Sequence, residues 1–197
     1  MCGICGIVGV EPEPGTIERM TRSLAHRGPD FHDVWRAPGV ELGHTRLAIL
    51  DLSAAGNQPM TLGPYTLTYN GEIYNFRQRR QQLAGPFHSD GDTEVLLHLF
   101  AERGARCLES LRGMFAFAIW DAATGTLFAA RDRVGMKPFY YRELDGGIAF
   151  ASEIKALLEL GRPAIDRLAV RDYLTYKYVP EPKTVYSGIR TLAPGHT

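Results

Sequence analysis

Cysteine is scarce. Three residues, Cys2, Cys5 and Cys107, are all that 197 positions contain. So few thiols exclude a disulfide-built scaffold and point to a reducing, cytoplasmic setting. Net charge is missing too. Lys and Arg number 22 and so do Asp and Glu, which removes any general pull toward nucleic acid or an anionic membrane. No apolar run reaches the length of a transmembrane helix, and the start lacks the basic stretch and separate apolar core of a secretory leader. The chain holds no GxxxxGK[ST] phosphate loop, no dinucleotide-binding glycine fingerprint, no internal repeat and no low-complexity segment.

What is present fits one folded domain with a short tail. The apolar fraction, 45%, suffices for a core. Residues 3–10 (GICGIVGV) read as a buried strand and 16–26 as an amphipathic helix broken by Gly28 and Pro29. Strands are expected over 31–38, 40–50, 65–69, 114–121 and 126–132, the last two joined by the hairpin turn AATG. FYYRE and GIAFAS form a second hairpin. Helices are expected over 76–83, 93–104 and 105–111 and in EIKALLEL and IDRLAVRDYLTY. From Tyr178 on, prolines and glycines replace the periodic pattern. The division is therefore 2–177 as one domain and 178–197 as a linker or passage to another. Strands and helices in separate groups imply antiparallel sheets covered by helical layers.

The opening MCGIC poses the functional question. As a metal site, Cys2 and Cys5 supply two ligands, with no second CxxC and no histidine at ligand spacing. As a redox pair they should cap a helix, but a strand pattern follows. As packing residues, Cys5 and Cys107 are small apolar side chains. Cys2 differs by position. Removal of Met1 would give it a free α-amine with a pKa near 8, so that nucleophile and base come from one residue.

MCGICGIVG, LAHRGPD, LGHTRLAILD, GNQPM, YNGEIYN, GDTEVLL, LRGMFAFAIWD and ARDRVGMKPFYY together resemble the glutaminase domain of glutamine-hydrolysing asparagine synthetases, a class II, N-terminal-nucleophile amidotransferase. The resemblance spans nearly all of residues 2–155, and the segment after it looks like the passage into a synthetase domain. It implies an α+β fold, a four-layer αββα sandwich of two antiparallel sheets.

The same resemblance implies roles. Cys2 is the thiol nucleophile on the side-chain carbonyl of glutamine. The Asn70 amide and the Gly71 N–H form the oxyanion hole. Arg46 binds the substrate α-carboxylate through a bidentate guanidinium, while Glu72 and Asp92 hold the α-ammonium. Read without the family, Asn70-Gly71 is a hairpin-turn dipeptide, Arg46 a strand-edge cation, and Asp92 an N-cap for the helix that follows. Arg27 is expected to brace the N-terminal strand. Arg131 and Asp132 are expected as a structural charge pair, His98 as a packed helix residue, and His26 and His44 have no evident partner.

A metal is not implied for this domain, nor any cofactor. ATP and magnesium are expected in a synthetase domain whose SGGxDS-type loop is absent here. Implied partners are glutamine and that synthetase domain, with a homodimer left open and neither nucleic acid nor membrane. Two other readings stand beside this one. The same glutaminase could feed a different amide-forming synthetase, or the chain could be a catalytically silent interaction domain.

Overall fold

The computed structural model describes residues 1–197. Ten strands form two antiparallel sheets. The larger contains β1 (Gly3–Val8), β2 (Phe31–Ala37), β3 (Val40–Arg46), β8 (Tyr140–Leu144), β9 (Gly147–Ala151) and β10 (Ile189–Thr191), ordered β10-β8-β9-β1-β3-β2. The smaller contains β4 (Met60–Leu62), β5 (Tyr65–Ile73), β6 (Gly113–Asp121) and β7 (Thr126–Arg131), in that order. Five helices accompany them: α1 (Thr16–Ser23), α2 (Phe76–Arg80), α3 (Asp92–Arg103), α4 (Ile154–Leu157) and α5 (Arg167–Tyr176). None is long and apolar enough to cross a membrane.

Side-chain alternation makes the layers. Along β6, Phe115, Phe117 and Ile119 pack with Val95, Leu96 and Leu99 of α3, while Ala116, Ala118 and Trp120 face the other way and meet Ile4, Leu42 and Phe150 of the large sheet. Period two puts alternate residues on opposite faces, and small residues on the inner face allow the sheets to approach closely. The large sheet's outer face, with Cys5 and Ile7, packs under Ile17, Met20 and Leu24, and under Ala156 and Leu157 of α4. The result is the αββα sandwich.

Local departures from the sequence expectations have physical causes. β3 stops at Arg46 rather than running to residue 50. Ile49, Leu50 and Leu52 then turn outward into solvent, so their apolar run is a surface loop and not strand. Residues 104–110 wind as a 3₁₀ segment rather than an α-helix, and EIKALLEL gives one α-turn continued by a 3₁₀ turn. α5 begins where Asp166 accepts the N–H groups of Leu168 and Ala169, a side-chain N-cap. The segment read as a linker or passage carries β10, which pairs Ile189–Thr191 with Arg142–Tyr140.

Arg131 and Asp132 do not pair with each other. Arg131 reaches Glu181 at 3.1 Å and the carbonyls of Lys137 and Gly135. The Asp132 carboxylate accepts the N–H groups of Phe115, Val134, Met136 and Lys137. Each is structural, but as a clamp on backbone. Adjacent residues in an extended chain project to opposite sides, which separates their charges.

Candidate active site

At one end of the sandwich the chain enters β1 beside the exit of β3 and near the end of β5. A cleft of about 140 Å³ opens there. Its walls include Cys2, Arg46, Asn70, Gly71, Glu72 and Asp92, all six residues singled out from the sequence, together with Met1 and Lys137.

Cys2 is held on two sides, by the Arg27 side chain and by the Leu47 backbone. Its carbonyl accepts Arg27 Nε at 2.9 Å, and Arg27 Nη1 binds Glu153 Oε1 at 2.9 Å. The Sγ accepts the Leu47 N–H at 3.5 Å. Burial raises the Cys2 thiol pKa. The Leu47 N–H, the terminal amine and Arg46 oppose that rise, and the Asp92 charge adds to it. Cys5 does not join this site. Three residues along a strand, it points to the opposite face, wholly buried against Thr21. Burial pushes its thiol up to about 12, which leaves it a neutral packing residue. All three cysteines are free thiols.

Asn70 and Gly71 lie inside β5, paired across from Ala116 and Phe115. They are not a hairpin turn, because the strand continues through Ile73. Asn70 and Glu72 share the face toward the large sheet. Asn70 is 1% exposed, and its Nδ2 has no hydrogen-bond partner. Buried amides are nearly always bonded within a fold, which sets this unpaired donor on the cleft wall apart. Gly71 cannot be replaced without movement, since a Cβ there would overlap the Met114 carbonyl and the Tyr69 ring.

Arg46 is 7% exposed and has no carboxylate partner. Its Nη1 donates to the Ser53 carbonyl and to Asn57 Oδ1, both at 2.7 Å, and its Nη2 donates to the Asp51 carbonyl. Gly56 leaves the room that the guanidinium fills. The loop 51–57 thus orients the cation with neutral dipoles and leaves its charge uncompensated.

Asp92 is the first residue of α3. Gly91 occupies the cap position, and no side-chain cap bond forms. Instead Asp92 Oδ2 accepts the Tyr69 hydroxyl at 2.6 Å and the Ile73 N–H at 2.7 Å. Burial raises its pKa, against the lowering effect of those two donors. The Glu72 pKa is raised by burial and by Asp92, and lowered by Lys137. Two carboxylates beside each other in one cleft make a place for a cation.

His44 bridges the sheets, its Nε2 donating to the Tyr69 carbonyl at 3.1 Å. Burial drives its pKa to about 3, so it stays neutral. His98 stacks on Phe87 with ring centroids 4.6 Å apart, and His26 meets Glu153 at 2.9 Å. Sequence reasoning missed Lys137 and Tyr69. Tyr69 sits within YNGEIYN, and strand alternation could have shown that it faces away from Asn70. Lys137 sits within ARDRVGMKPFYY, and no periodicity marks it.

The cleft therefore presents a thiol, an unpaired amide donor, a guanidinium without a carboxylate partner and a carboxylate pair. Such a site suits a zwitterionic α-amino acid carrying a carbonyl group. Comparisons with known proteins identify the family. The family model for a glutamine amidotransferase domain matches residues 1–197. The asparagine synthetase [glutamine-hydrolyzing] 3 of Bacillus subtilis (strain 168) is 40% identical over 210 residues, covering 100% of this chain and 34% of the relative. A putative asparagine synthetase [glutamine-hydrolyzing] of Mycobacterium bovis is 39% identical, covering 99% of this chain and 34% of the relative. The chain thus spans about a third of the length of these curated relatives. Among solved structures, the glutamine phosphoribosylpyrophosphate amidotransferase from B. subtilis superposes with a TM-score of 0.70 at 25% identity, covering 81% of this chain and 44% of that one.

Proposed function

The chain belongs to the glutamine amidotransferase domain family, and we propose that it hydrolyses the side-chain amide of glutamine through a thioester on Cys2. The reading is carried by the unpaired Asn70 Nδ2, which stands buried in the same cleft as the Cys2 thiol.

The steps follow from the residues. Arg46 takes the α-carboxylate, and Glu72 with Asp92 takes the α-ammonium, so the side-chain amide is directed to Cys2. Once Met1 is removed, the Cys2 α-amine accepts the thiol proton. Sγ attacks the amide carbon, and the oxygen acquires negative charge. Asn70 Nδ2 and the Gly71 N–H stabilise that charge as it forms. The Cys2 α-ammonium so formed returns that proton to the departing nitrogen, which leaves as ammonia, and the Cys2 α-amine is neutral again. Water then cleaves the thioester and restores the thiol. The balance is glutamine and water to glutamate and ammonia.

The ammonia would pass to an ATP-dependent synthetase domain like the one that completes the asparagine synthetase relatives, which would form asparagine. ATP and magnesium would act in that domain, and no step above passes through either. A thiol nucleophile needs a reducing environment, so the proposed compartment is the cytoplasm.

Glutamate and ammonia release should be measured in Met1-processed wild type and in C2A. C2A should bind glutamine without hydrolysing it. Normal turnover by C2A would overturn the reading. Equal specific activity in a homogeneous Met1-bearing preparation would overturn the α-amine as base. Met1 lines the cleft, so its removal also clears the space beside Sγ.

A further inference from the structure

Lys137 is a lysine where lysines are seldom found. It is 5% exposed and lines the cleft of Cys2 and Glu72, yet its ammonium has no hydrogen bond or ion pair. Its backbone is fixed on both sides. The Lys137 N–H donates to Asp132 Oδ2 at 3.0 Å, and its carbonyl accepts Arg131 Nε at 2.8 Å. The same Asp132 oxygen accepts the Phe115 N–H at 3.1 Å, tying the lysine to β6 beside Gly71. The stem is buried while the unpaired ammonium tip opens into the cleft. The fold thus holds a cation on the wall of the cleft that contains the Cys2 thiol.

Charge counting in the occupied cleft shows what it answers. The Arg46 cation and the substrate α-carboxylate cancel. The substrate α-ammonium cancels one of the two carboxylates, Glu72 and Asp92. One negative charge remains facing Cys2; forming the thiolate passes its proton to the Cys2 α-amine and so leaves the net charge of the cleft unchanged. Of the other groups, Arg27 is engaged by Glu153, Asp132 by backbone N–H groups, and the Tyr69 hydroxyl by Asp92. The terminal amine must be neutral to act as base. Lys137 is the remaining cation.

We propose that Lys137 is a positioning residue of this site: its ammonium offsets the carboxylate pair and favours the thiolate of Cys2 as it forms. The burial that lowers the Lys137 pKa, with Arg27 adding to it, is opposed by Glu72, Cys2 and Asp132. The assignment rests on Cys2 as nucleophile, and it adds an electrostatic requirement to that reading.

Alkylation of Cys2 by iodoacetamide tests it without requiring turnover. Met1-processed wild type, K137M and K137R would be labelled across a pH series, and the N-terminal peptide quantified by mass spectrometry. Cys5 and Cys107 are fully buried and serve as unlabelled internal controls. K137M should be alkylated about tenfold more slowly at neutral pH, its profile displaced upward by about one pH unit. K137R should lie close to wild type. Should K137M fail to fold, K137Q carries the same expectation. A K137M or K137Q profile that superimposes on wild type would overturn the proposal, as would a K137R profile as displaced as theirs. Failure of the Cys2 reading is seen separately, as undiminished glutamine hydrolysis by C2A.

Discussion

The Tyr69 hydroxyl donates to Asp92 Oδ2 at 2.6 Å, joining the buried outer face of β5 to the first residue of α3. The bond spends a tyrosine of the core on aiming a carboxylate. Asp92 Oδ2 also takes the Ile73 N–H, so the carboxylate is fixed from both the middle and the end of β5. Tyr69→Phe should therefore loosen the carboxylate without changing the packing volume much. A buried hydrogen bond to a charged group contributes about 1.5–3 kcal/mol, and Y69F should lose stability on that order in urea unfolding. It should also raise KM for glutamine several-fold with a smaller loss in kcat. A fall in kcat at unchanged KM would mean that Asp92 acts on the chemistry rather than on the substrate ammonium.

Glu153 links the site to acid stability. Burial alone would raise its pKa, but bonds from Arg27, His26 and Lys155 bring it down to about 2. A carboxylate depressed in the folded state stabilises above its unfolded pKa, and the gain is lost as pH falls toward the folded value. Here the window runs from about 4.5 down to about 2, and solvent screening of the half-exposed His26 and Lys155 partners reduces the contribution below what the full shift would give. E153Q should unfold at a lower temperature than wild type at neutral pH, with the gap closing as the pH falls through that window. Arg27 would keep its bond to the Cys2 carbonyl but lose its anchor. A pH-independent gap between the two proteins would refute the assignment.

Much of this arrangement is legible in the sequence, for identifiable reasons. The alternation in FAFAIW is the inner and outer face of β6, because only a strand buried on both sides needs apolar residues at both parities. Cys2, Arg46, Asn70, Gly71, Glu72 and Asp92 stand in motifs distinctive enough to be picked out, and the fold gathers them. The run LAIL misled because apolar residues at a cleft rim have the composition of a strand. Asn-Gly offered a turn, yet β5 runs straight through it, held by nine residues of pairing with β6. Tertiary pairing overrides a dipeptide preference. Lys137 was hidden because its position depends on the Asp132 knot, whose bonds run to four separate backbone amides. Spacing along the chain cannot express that.

Gly71 offers a steric prediction. Its missing Cβ would overlap the Met114 carbonyl and the Tyr69 ring, both parts of the structure that fix the cleft. Gly71→Ala must push β5 away from β6 or turn the tyrosine that holds Asp92. Overpacking of this kind costs about 1–3 kcal/mol. G71A should show that loss in thermal unfolding, together with a fall in kcat from a displaced N–H. Retained stability and retained kcat would show that the strand yields without moving the donor.

On the proposed function, Arg46 and Asn70 should separate in kinetics, because one would meet a charge that the substrate always carries and the other a charge that exists only during attack. Arg46→Lys keeps the cation but loses the planar fork that binds the loop 51–57 and still faces the cleft. R46K should raise KM strongly, and it should destabilise the protein, since the Ser53 and Asp51 carbonyls and Asn57 lose their donor. Asn70→Ala should behave in the opposite way. Its Nδ2 bonds nothing in the fold, so its removal forfeits no hydrogen bond there and Tm should change little. The lost oxyanion donor matters where negative charge develops, at a cost of about 3 kcal/mol, or roughly a hundredfold or more in kcat. Glutamine affinity can be measured in a C2A background, and turnover in the Cys2 protein. If N70A unfolds early while its folded fraction turns over normally, Asn70 is a strand residue and no more. If N70A weakens binding with kcat intact while R46K does the reverse, the two roles are exchanged. The unpaired amide favours neither result: a donor that the fold leaves empty is free to take the oxyanion.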